Sequence, residues 1–427
     1  MSDQRKHSLN QMVDRPEAAA TAAKVQFLSC PSSYDPLPNA VVTRETHMSW
    51  VFMTADRVYK LKKPVRFAYL DFSTLALRAR ACRAEYALNR RLAPDVYLGF
   101  VPLTFSDSGF AIKGPGLVVD WLVVMRRLDE NSTLEAALSS RRVSRGQIDR
   151  LASILATFYE RATRIMIAPE SYPVLLRNDG IENHRILGDP RFSLPSGVIA
   201  RVAHVQERFL NECTDILHSR IRERHLVDGH GDLRPEHIWL SDSLPIIDCL
   251  EFNDRLRILD ALDEIAFLHL ECERLGGFAV GERIRQLLSR SLHDEPTNGV
   301  FLFYRIKRAM LRARLSIAHL IDPHPRTPEK WPRLAHCYLN FAAVDAAKLQ
   351  LLLDARRRRQ NTSKSAKASR WFSRRMASAN SGAAPIVSSL SRTGPGPSRN
   401  GGTASTTIMR SIDGSASVFS EPGMKRP

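Results

Sequence analysis

Two aspartates sixteen positions apart form the most chemically suggestive pattern in this chain. Asp232 follows a His-Gly pair in the segment 228–237, and Asp248 comes at the end of an apolar run. The residues between them form two short apolar segments around the polar turn 241–243, which predicts a β-hairpin. Such a hairpin would direct both carboxylates to one cleft, one to take a proton from an attacking hydroxyl and one to hold a metal that bridges phosphates. The spacing therefore predicts a phosphoryl-transfer site.

The segment around the first aspartate resembles a known catalytic loop. Residues 230–237 read His-Gly-Asp-Leu-Arg-Pro-Glu-His, which is similar to the loop of the aminoglycoside phosphotransferase and choline kinase group within the protein-kinase-like superfamily. The resemblance implies that Asp232 is the catalytic base and that Asp248 binds the metal. The Leu-Arg-Pro-Glu part is nearer to protein kinases, and it puts Arg234 where those enzymes carry a basic residue near the transferred phosphate.

One position departs from this pattern. Five residues after the catalytic aspartate the resemblance implies an asparagine that ligates a second magnesium, and this chain has His237. A neutral imidazole is a poor ligand for a hard cation that prefers oxygen. Three outcomes therefore stay open: catalysis with one metal, a preference for Mn²⁺ over Mg²⁺, or loss of activity.

A strand-like run upstream carries candidate lysines. In the segment 58–63, Val58 and Lys60 share one face of a strand, as the small apolar residue and the phosphate-binding lysine of kinases do. We predict that Lys60 binds the nucleotide phosphates. Lys62 points to the same side and is the alternative, because an alternating strand cannot separate residues two apart.

A helix is predicted directly after these lysines. The segment 75–92 is rich in Ala, Arg and Leu, and Ser73 and Thr74 are suitable caps at its start. Glu85 lies in the middle of this helix. The resemblance implies that it pairs with Lys60, whereas alone it would be interpreted as one charge of a solvated helix.

The segment before the lysines, residues 44–52, contains no glycine. Thr46 and Ser49 can offer hydroxyls and backbone N–H groups to a phosphate, but a β-hairpin with two ordinary polar residues explains them equally well. Small-molecule kinases often lack a glycine-rich loop, so its absence favours them over protein kinases. Residues 126–129, after an apolar strand, are the predicted crossing between two lobes, against which the adenine would lie.

Other polar residues are interpreted as structural. We predict that His230 fixes the catalytic loop through backbone hydrogen bonds, and that Asp260 caps a helix or braces the loop. Ser144 and Gln147 form a capping-box pattern. Long helical patterns at 297–321 and 332–354 indicate a mainly helical second lobe.

The resemblance covers roughly residues 30–350 and extends to aminoglycoside-phosphotransferase-like proteins with a Thr-His-x-Ser-Trp-Val and a Tyr-Lys-Leu-Lys-Lys-Pro strand. It implies an α+β, two-lobe protein-kinase-like fold with a small β-rich N-lobe, a larger helical C-lobe and a disordered C-terminal tail. Several such proteins continue into a P-loop ATPase domain. This sequence has no Gly-Lys dipeptide and hence no Walker A loop. The predicted parts are a flexible N-terminus at 1–24, an N-lobe at 25–128, a C-lobe at 129–354 and the tail at 355–427.

Composition excludes several classes of protein. The chain has 427 residues and 44% hydrophobic content, enough for a large core. No apolar stretch approaches the ~18–20 residues of a membrane span, and the first 24 residues lack the apolar core of a signal peptide. We therefore expect a cytoplasmic location. The six scattered cysteines lack metal-ligand spacing and suit free thiols in a reducing compartment.

The net charge of +17 is concentrated at the C-terminal end. Residues 355–427 hold fourteen Lys and Arg against Asp413 and Glu421, so they carry +12 and leave +5 for the rest. Their Ser, Gly, Pro and Arg content predicts disorder. Weak nonspecific contact with nucleic acid or an anionic surface is the partner that this tail suggests.

These patterns lead to three ranked functions. The first is an ATP-dependent phosphotransferase that moves the γ-phosphate to a hydroxyl of a small-molecule acceptor, with ATP and Mg²⁺, or Mn²⁺, as cofactors. The second is a nucleotide-binding pseudokinase that acts as a regulatory or adaptor module, suggested by His237 and the glycine-free segment. The third is a protein kinase, favoured by Arg-Pro-Glu at 234–236 but lacking a later Asp-Phe-Gly or Ala-Pro-Glu segment.

Overall fold

The structure is a computed structural model that describes residues 20–67, 69–321 and 327–380. Of these residues, those up to Gln350 form one compact unit and those from Leu351 form a second. Residues 1–19 of the predicted flexible N-terminus lie outside the described residues, and residues 20–29 form helix α1. The predicted tail lies outside them from residue 381. Among the described residues, no helix is both long and apolar enough to cross a membrane.

The first part of the chain is built on an antiparallel sheet. Six strands pair in the order β1-β2-β3-β8-β6-β7. Tyr59 and Leu61 of β3 point into the core beneath the sheet, so Lys60 and Lys62 share the opposite face. The strands are β1 Val42–Glu45, β2 Ser49–Met53, β3 Arg57–Lys62, the short pair β4 Arg66–Phe67 and β5 Leu70–Asp71, β6 Tyr97–Ser106, β7 Gly109–Ile112 and β8 Leu117–Arg126.

One helix packs across this sheet and carries the predicted glutamate. Helix α2 spans Leu75–Asn89, and the Thr74 hydroxyl caps it by accepting a hydrogen bond from Leu77 N at 3.2 Å. It contacts β8, which lies next to β3, and β6, which lies on the far side of β8. The predicted helix and its cap are confirmed. Glu85 is buried at 1% exposure, so it is not a charge on a solvated face.

The rest of the first unit is mainly helical. Ser144 and Gln147 form the predicted capping box at the start of α4. Helix α9 packs against α4 and α8, and α10 packs against α8. A sheet followed by a helical part confirms the predicted α+β, two-lobe fold class. The helices are α3 Leu134–Ser139, α4 Arg145–Arg161, α5 Ser171–Leu187, α6 Ser196–Glu212, α7 Thr214–Arg222, α8 Ala261–Arg274, α9 Phe278–Ser291, α10 Asn298–Ala318 and α11 Lys330–Asn380.

The last helix differs from the sequence expectation. The basic tail was expected to begin at residue 355, yet α11 continues to Asn380. Residues 355–380 contain many Ala, Arg and Lys, which have high helix propensity, and only the later part of the tail is rich in Gly and Pro. Composition averaged over the whole tail concealed this difference.

A hairpin separates the two aspartates, as predicted. The backbone N–H of Trp239 donates to the carbonyl of Pro245 at 3.0 Å, and that of Ile247 donates to His237 at 3.0 Å. The pairing is a single bridge at Ile238 and Ile246 rather than two full strands. Strand β9, Leu226–Asp228, pairs with β10, Ile258–Asp260, and leads directly into the loop with Asp232.

Candidate active site

A cavity of ≈ 430 Å³ lies between the sheet and the helical part. Its lining comes from β1, β2, β3, the end of β8, the catalytic loop and the segment after the hairpin. A concave pocket with a few convergent charged groups is the usual form of a small-molecule site. Six of the predicted site residues line it: Thr46, Ser49, Lys60, Asp232, Arg234 and Asp248.

Lys60 lies between two carboxylates. Its Nζ is 2.9 Å from Glu85 Oε1 and 3.2 Å from Asp248 Oδ1. Burial opposes the charge of this lysine, but Asp248 and Glu85 outweigh that effect and raise its pKa well above the ordinary value. Burial raises the pKa of Glu85, but the charges of Lys60 and Lys62 oppose it and lower that pKa below its ordinary value. The predicted lysine–glutamate contact is therefore present, with both partners charged.

Lys62 occupies a more buried position on the same face. Its Nζ is 2.6 Å from Glu85 Oε2 and 2.5 Å from Glu251 Oε1. Only 1% of its side chain is exposed, against 17% for Lys60, and it is not among the residues that line the cavity. Lys60 is thus the lysine that a bound molecule can reach. Glu251 was not identified from the sequence.

Asp232 is held by the arginine two residues later. Arg234 Nη2 donates to Asp232 Oδ2 at 2.9 Å, and Arg234 Nη1 bonds Glu236. Burial raises the pKa of Asp232, but the charge of Arg234, its hydrogen bond and other nearby positive charges together outweigh burial and lower the pKa below its ordinary value. None of the hydrogen bonds formed by the described residues reaches Asp232 Oδ1. The carboxylate is an anion with one oxygen available as a proton acceptor.

A buried glutamate holds the backbone of this loop. Glu264, in the first turn of α8, accepts hydrogen bonds from His230 N at 3.0 Å and Gly231 N at 2.5 Å. Tyr159 donates its hydroxyl to the same carboxylate at 3.0 Å. The sequence predicted that Asp260 caps a helix or braces the loop, and the structure confirms the cap: Asp260 caps α8 and pairs with the buried Arg220. Glu264 was not identified as the brace, since its partners are backbone amides that leave no sequence signal.

Histidine 230 has the predicted structural role. His230 Nε2 lies 2.9 Å from the carbonyl of Ile247, and its Nδ1 accepts from Asp232 N at 3.3 Å. Burial, followed by nearby His237, lowers its pKa to about 3, so the ring is neutral. It links the catalytic loop to the hairpin that ends at Asp248.

Asp248 sits in an unusual backbone conformation. Its φ is +63°, in the left-handed region that non-glycine residues rarely adopt and that aspartate tolerates better than most. The Tyr97 hydroxyl accepts its backbone N–H at 3.4 Å. The carboxylate is 46% exposed, and the Lys60 charge holds its pKa far below the ordinary value. This turn directs an ionised, accessible carboxylate into the cavity.

His237 connects the two aspartates. Its Nδ1 lies 2.9 Å from the carbonyl of Asp232, and its Nε2 lies 3.3 Å from Arg234 Nη2 and 3.8 Å from Asp248 Oδ2. A guanidinium only donates, so Nε2 accepts and the proton is on Nδ1, where it bonds the carbonyl. In this arrangement the Nε2 lone pair of His237 already receives an N–H group.

The donor set fits one hard cation better than two. Asp248 offers an accessible carboxylate oxygen, which suits Mg²⁺, and the nitrogen of His237 suits it poorly. Across the described ranges, no group of three or more metal-ligating side chains converges. Sites that hold Mg²⁺ through one or two carboxylates take their other ligands from phosphates and water.

The hydroxyl of Thr46 is used within its own turn. It donates to the Ser49 carbonyl at 2.9 Å and accepts the Ser49 backbone N–H at 3.0 Å. Ser49 is 2% exposed. This geometry favours the β-hairpin interpretation for the hydroxyls, while both residues line the cavity.

The chain is similar in sequence to uncharacterized mycobacterial proteins. It is 34% identical over 285 residues to the uncharacterized protein Rv2004c of Mycobacterium tuberculosis and, at the same identity, to Mb2027c of Mycobacterium bovis. The match covers 66% of this chain and 56% of each relative. The chain therefore spans about half the length of the curated relatives it matches. No protein-family model matches it.

Two solved structures align with most of this chain at low sequence identity. The chain aligns with the GDP and kanamycin complex of APH(2″)-IIIa at 14% identity and TM-score 0.45, over 74% of this chain and 96% of that one. It aligns with a choline/ethanolamine kinase family protein of Mesorhizobium loti at 12% identity and TM-score 0.41, over 76% and 99%. At such identities and TM-scores, no residue role passes from them to this chain.

Proposed function

We propose that this protein is an ATP-dependent phosphotransferase that moves the γ-phosphate to a hydroxyl of a small-molecule acceptor. The observation that supports it most is the Lys60 ammonium, held between Glu85 and Asp248 in the cavity that also contains Asp232. Phosphoryl transfer requires a cation for the phosphates, an anion for a metal and a base for the acceptor, and these residues supply all three.

Each residue has a separate task in this proposal. Lys60 binds the nucleotide phosphates and Glu85 holds its ammonium in place. Asp232 accepts the hydroxyl proton through its available oxygen while the acceptor oxygen bonds to the γ-phosphorus and the bond to ADP breaks. Arg234, whose guanidinium contacts Asp232, stabilises negative charge on the transferred group. Thr46 and Ser49 form part of the cavity wall, because their backbone N–H groups are already donated within the hairpin.

Asp248 holds the divalent cation in this proposal, with His237 next to it. A bound Mg²⁺ or Mn²⁺ supplies positive charge to neutralise the phosphates. Because His237 Nε2 already accepts an N–H group of Arg234, we propose catalysis with one metal. The fixed guanidinium then supplies positive charge beside Asp232.

The experiment measures ATP binding and ATP hydrolysis side by side on the whole chain, with Mg²⁺ and with Mn²⁺. Asp248→Ala is the matched variant. Metal-dependent hydrolysis that the variant lacks supports a phosphotransferase and leads to a screen of amino alcohols, aminoglycosides and sugars as acceptors. Hydrolysis that continues unchanged in Asp248→Ala rejects the proposed site.

A regulatory pseudokinase is the second candidate, and it is favoured by His237, whose Nε2 contacts Arg234 and offers a nitrogen where an asparagine oxygen was expected. It predicts nucleotide binding, seen as thermal stabilisation, without turnover under either metal. The cytoplasmic location and the nonspecific contact of the tail with nucleic acid or an anionic surface stay predictions.

A further inference from the structure

Two lysines on one strand share a single glutamate. Lys60 Nζ contacts one carboxylate oxygen of Glu85 at 2.9 Å, and Lys62 Nζ contacts the other at 2.6 Å. Each lysine also reaches an acidic residue after the hairpin, Asp248 at 3.2 Å for Lys60 and Glu251 at 2.5 Å for Lys62. Two neighbouring ion pairs therefore connect strand β3 with the segment after the hairpin.

The two pairs differ in their access to the cavity. Lys60 lines it, and its partner Asp248 is 46% exposed. Lys62 is 1% exposed and does not line the cavity, and its partner Glu251 lines the cavity but is only 11% exposed, so this pair has little contact with solvent. A bound nucleotide can replace Asp248 as the partner of Lys60, but it cannot reach Lys62.

In the buried Lys62–Glu251 pair, each charge offsets part of the unfavourable effect of burial on the other. Burial opposes the charge of Lys62, while Glu251 and Glu85 raise its pKa. Burial raises the pKa of Glu251, Lys62 opposes that effect and nearby Glu85 adds to it. Without Lys62, the single ammonium of Lys60 would face three carboxylates, and removal of one partner of a buried pair is strongly destabilising.

We propose that Lys62 is a positioning residue for nucleotide binding. Lys62 binds one oxygen of Glu85, so the other oxygen stays directed at Lys60. Lys62 also binds Glu251, so the segment after the hairpin stays in place beside β3. When Lys60 exchanges Asp248 for phosphate, the Lys62–Glu251 pair remains closed. This inference rests on the proposed nucleotide site at Lys60.

The test is the affinity of the whole chain for a fluorescent ATP analogue with Mg²⁺, measured with the melting temperature of each variant. We expect Lys62→Met to weaken binding by about 10- to 100-fold, by analogy with the range for residues that orient metal ligands. Lys62→Arg keeps the charge and should restore most of the affinity. Lys24→Met is the matched control, since it breaks a buried lysine–aspartate pair with Asp120 at 2.8 Å among residues that do not line the cavity.

The control separates positioning from general stability. Lys24→Met should lower the melting temperature and keep the wild-type affinity. If Lys62→Met does not fold, Glu251→Gln decides, because it removes the charge that holds Lys62 and keeps the side-chain shape; we expect several-fold weaker binding. A folded Lys62→Met or Glu251→Gln protein with wild-type affinity would overturn this inference alone. Absence of nucleotide binding in the wild type would overturn the proposed function with it.

Discussion

The Glu264 carboxylate accepts the backbone N–H of Gly231 at 2.5 Å, and it accepts that of His230 as well. A fully buried side chain of α8 thus fixes the two residues before Asp232. The loop is held by its backbone, so the side chains of Asp232 and Arg234 need not maintain its shape.

Replacement of Glu264 by Gln should loosen this loop. An amide has only one oxygen, so one buried backbone N–H loses its acceptor, which costs about 1–3 kcal/mol. Urea denaturation measures the loss in the free energy of unfolding, and turnover should fall more than nucleotide affinity because Lys60 is untouched. Glu207→Gln, which removes an exposed ion pair with Arg177, should change stability by about 0–1 kcal/mol. An equal loss in the free energy of unfolding for both variants would contradict the role of Glu264 in holding the loop.

Gly231 should not tolerate a side chain. Its φ is +88°, and an added Cβ would lie 2.9 Å from Leu250 Cδ1. Gly231→Ala should therefore destabilise the protein by about 1–3 kcal/mol, the scale for a residue held in a sparsely populated backbone region. Gly180→Ala is the control, because Gly180 lies within α5 and an added Cβ meets nothing within 4 Å. That change should stabilise by about 0.5–1 kcal/mol. Thermal unfolding that ranks the two variants in the opposite order would contradict this reasoning.

Strand alternation was sufficient to put Lys60 and Lys62 on one face of β3. The pairing of Glu85 with Lys60 came from the family resemblance, since the helical pattern alone indicated a solvated charge. Glu251 and Glu264 were missed because their neighbours belong to elements distant in sequence, and an acidic residue in a helical pattern suggests solvent exposure. The left-handed backbone conformation of Asp248 was not predicted either, since glycine is the residue that usually indicates this conformation in a sequence.

Acid should destabilise the protein partly through Asp248. The Lys60 charge lowers the pKa of this carboxylate below its ordinary value of 3.8, so its stabilising contribution is present above that value and is lost as the pH falls toward the lower folded pKa. Asp248→Asn should reduce the pH dependence of unfolding below about pH 4 without changing its sign. Chemical denaturation between pH 2 and 6 measures this slope. An identical acid slope in both proteins would show that the Lys60–Asp248 pair adds nothing to stability.

Metal stoichiometry should respond to position 237. In the wild type we expect one Mn²⁺ per chain in the presence of nucleotide, counted by electron paramagnetic resonance of free Mn²⁺. His237→Asn replaces the nitrogen with an amide oxygen, which suits a hard cation, and should allow a second ion to bind. His237→Gln, whose longer side chain displaces the oxygen, is the control. Two ions in the wild type would contradict one-metal binding at this site.

The most direct test measures nucleotide affinity and phosphate release together in the wild type, Lys60→Met and Asp232→Asn. The proposed roles predict that Lys60→Met loses affinity, because the ammonium between Glu85 and Asp248 is gone. Asp232→Asn should bind ATP like the wild type while turnover falls by about 10²–10⁴-fold, the usual contribution of a general base. Parallel loss of binding and turnover in Asp232→Asn, or turnover that survives in it, would contradict the assignment of Asp232 as the base.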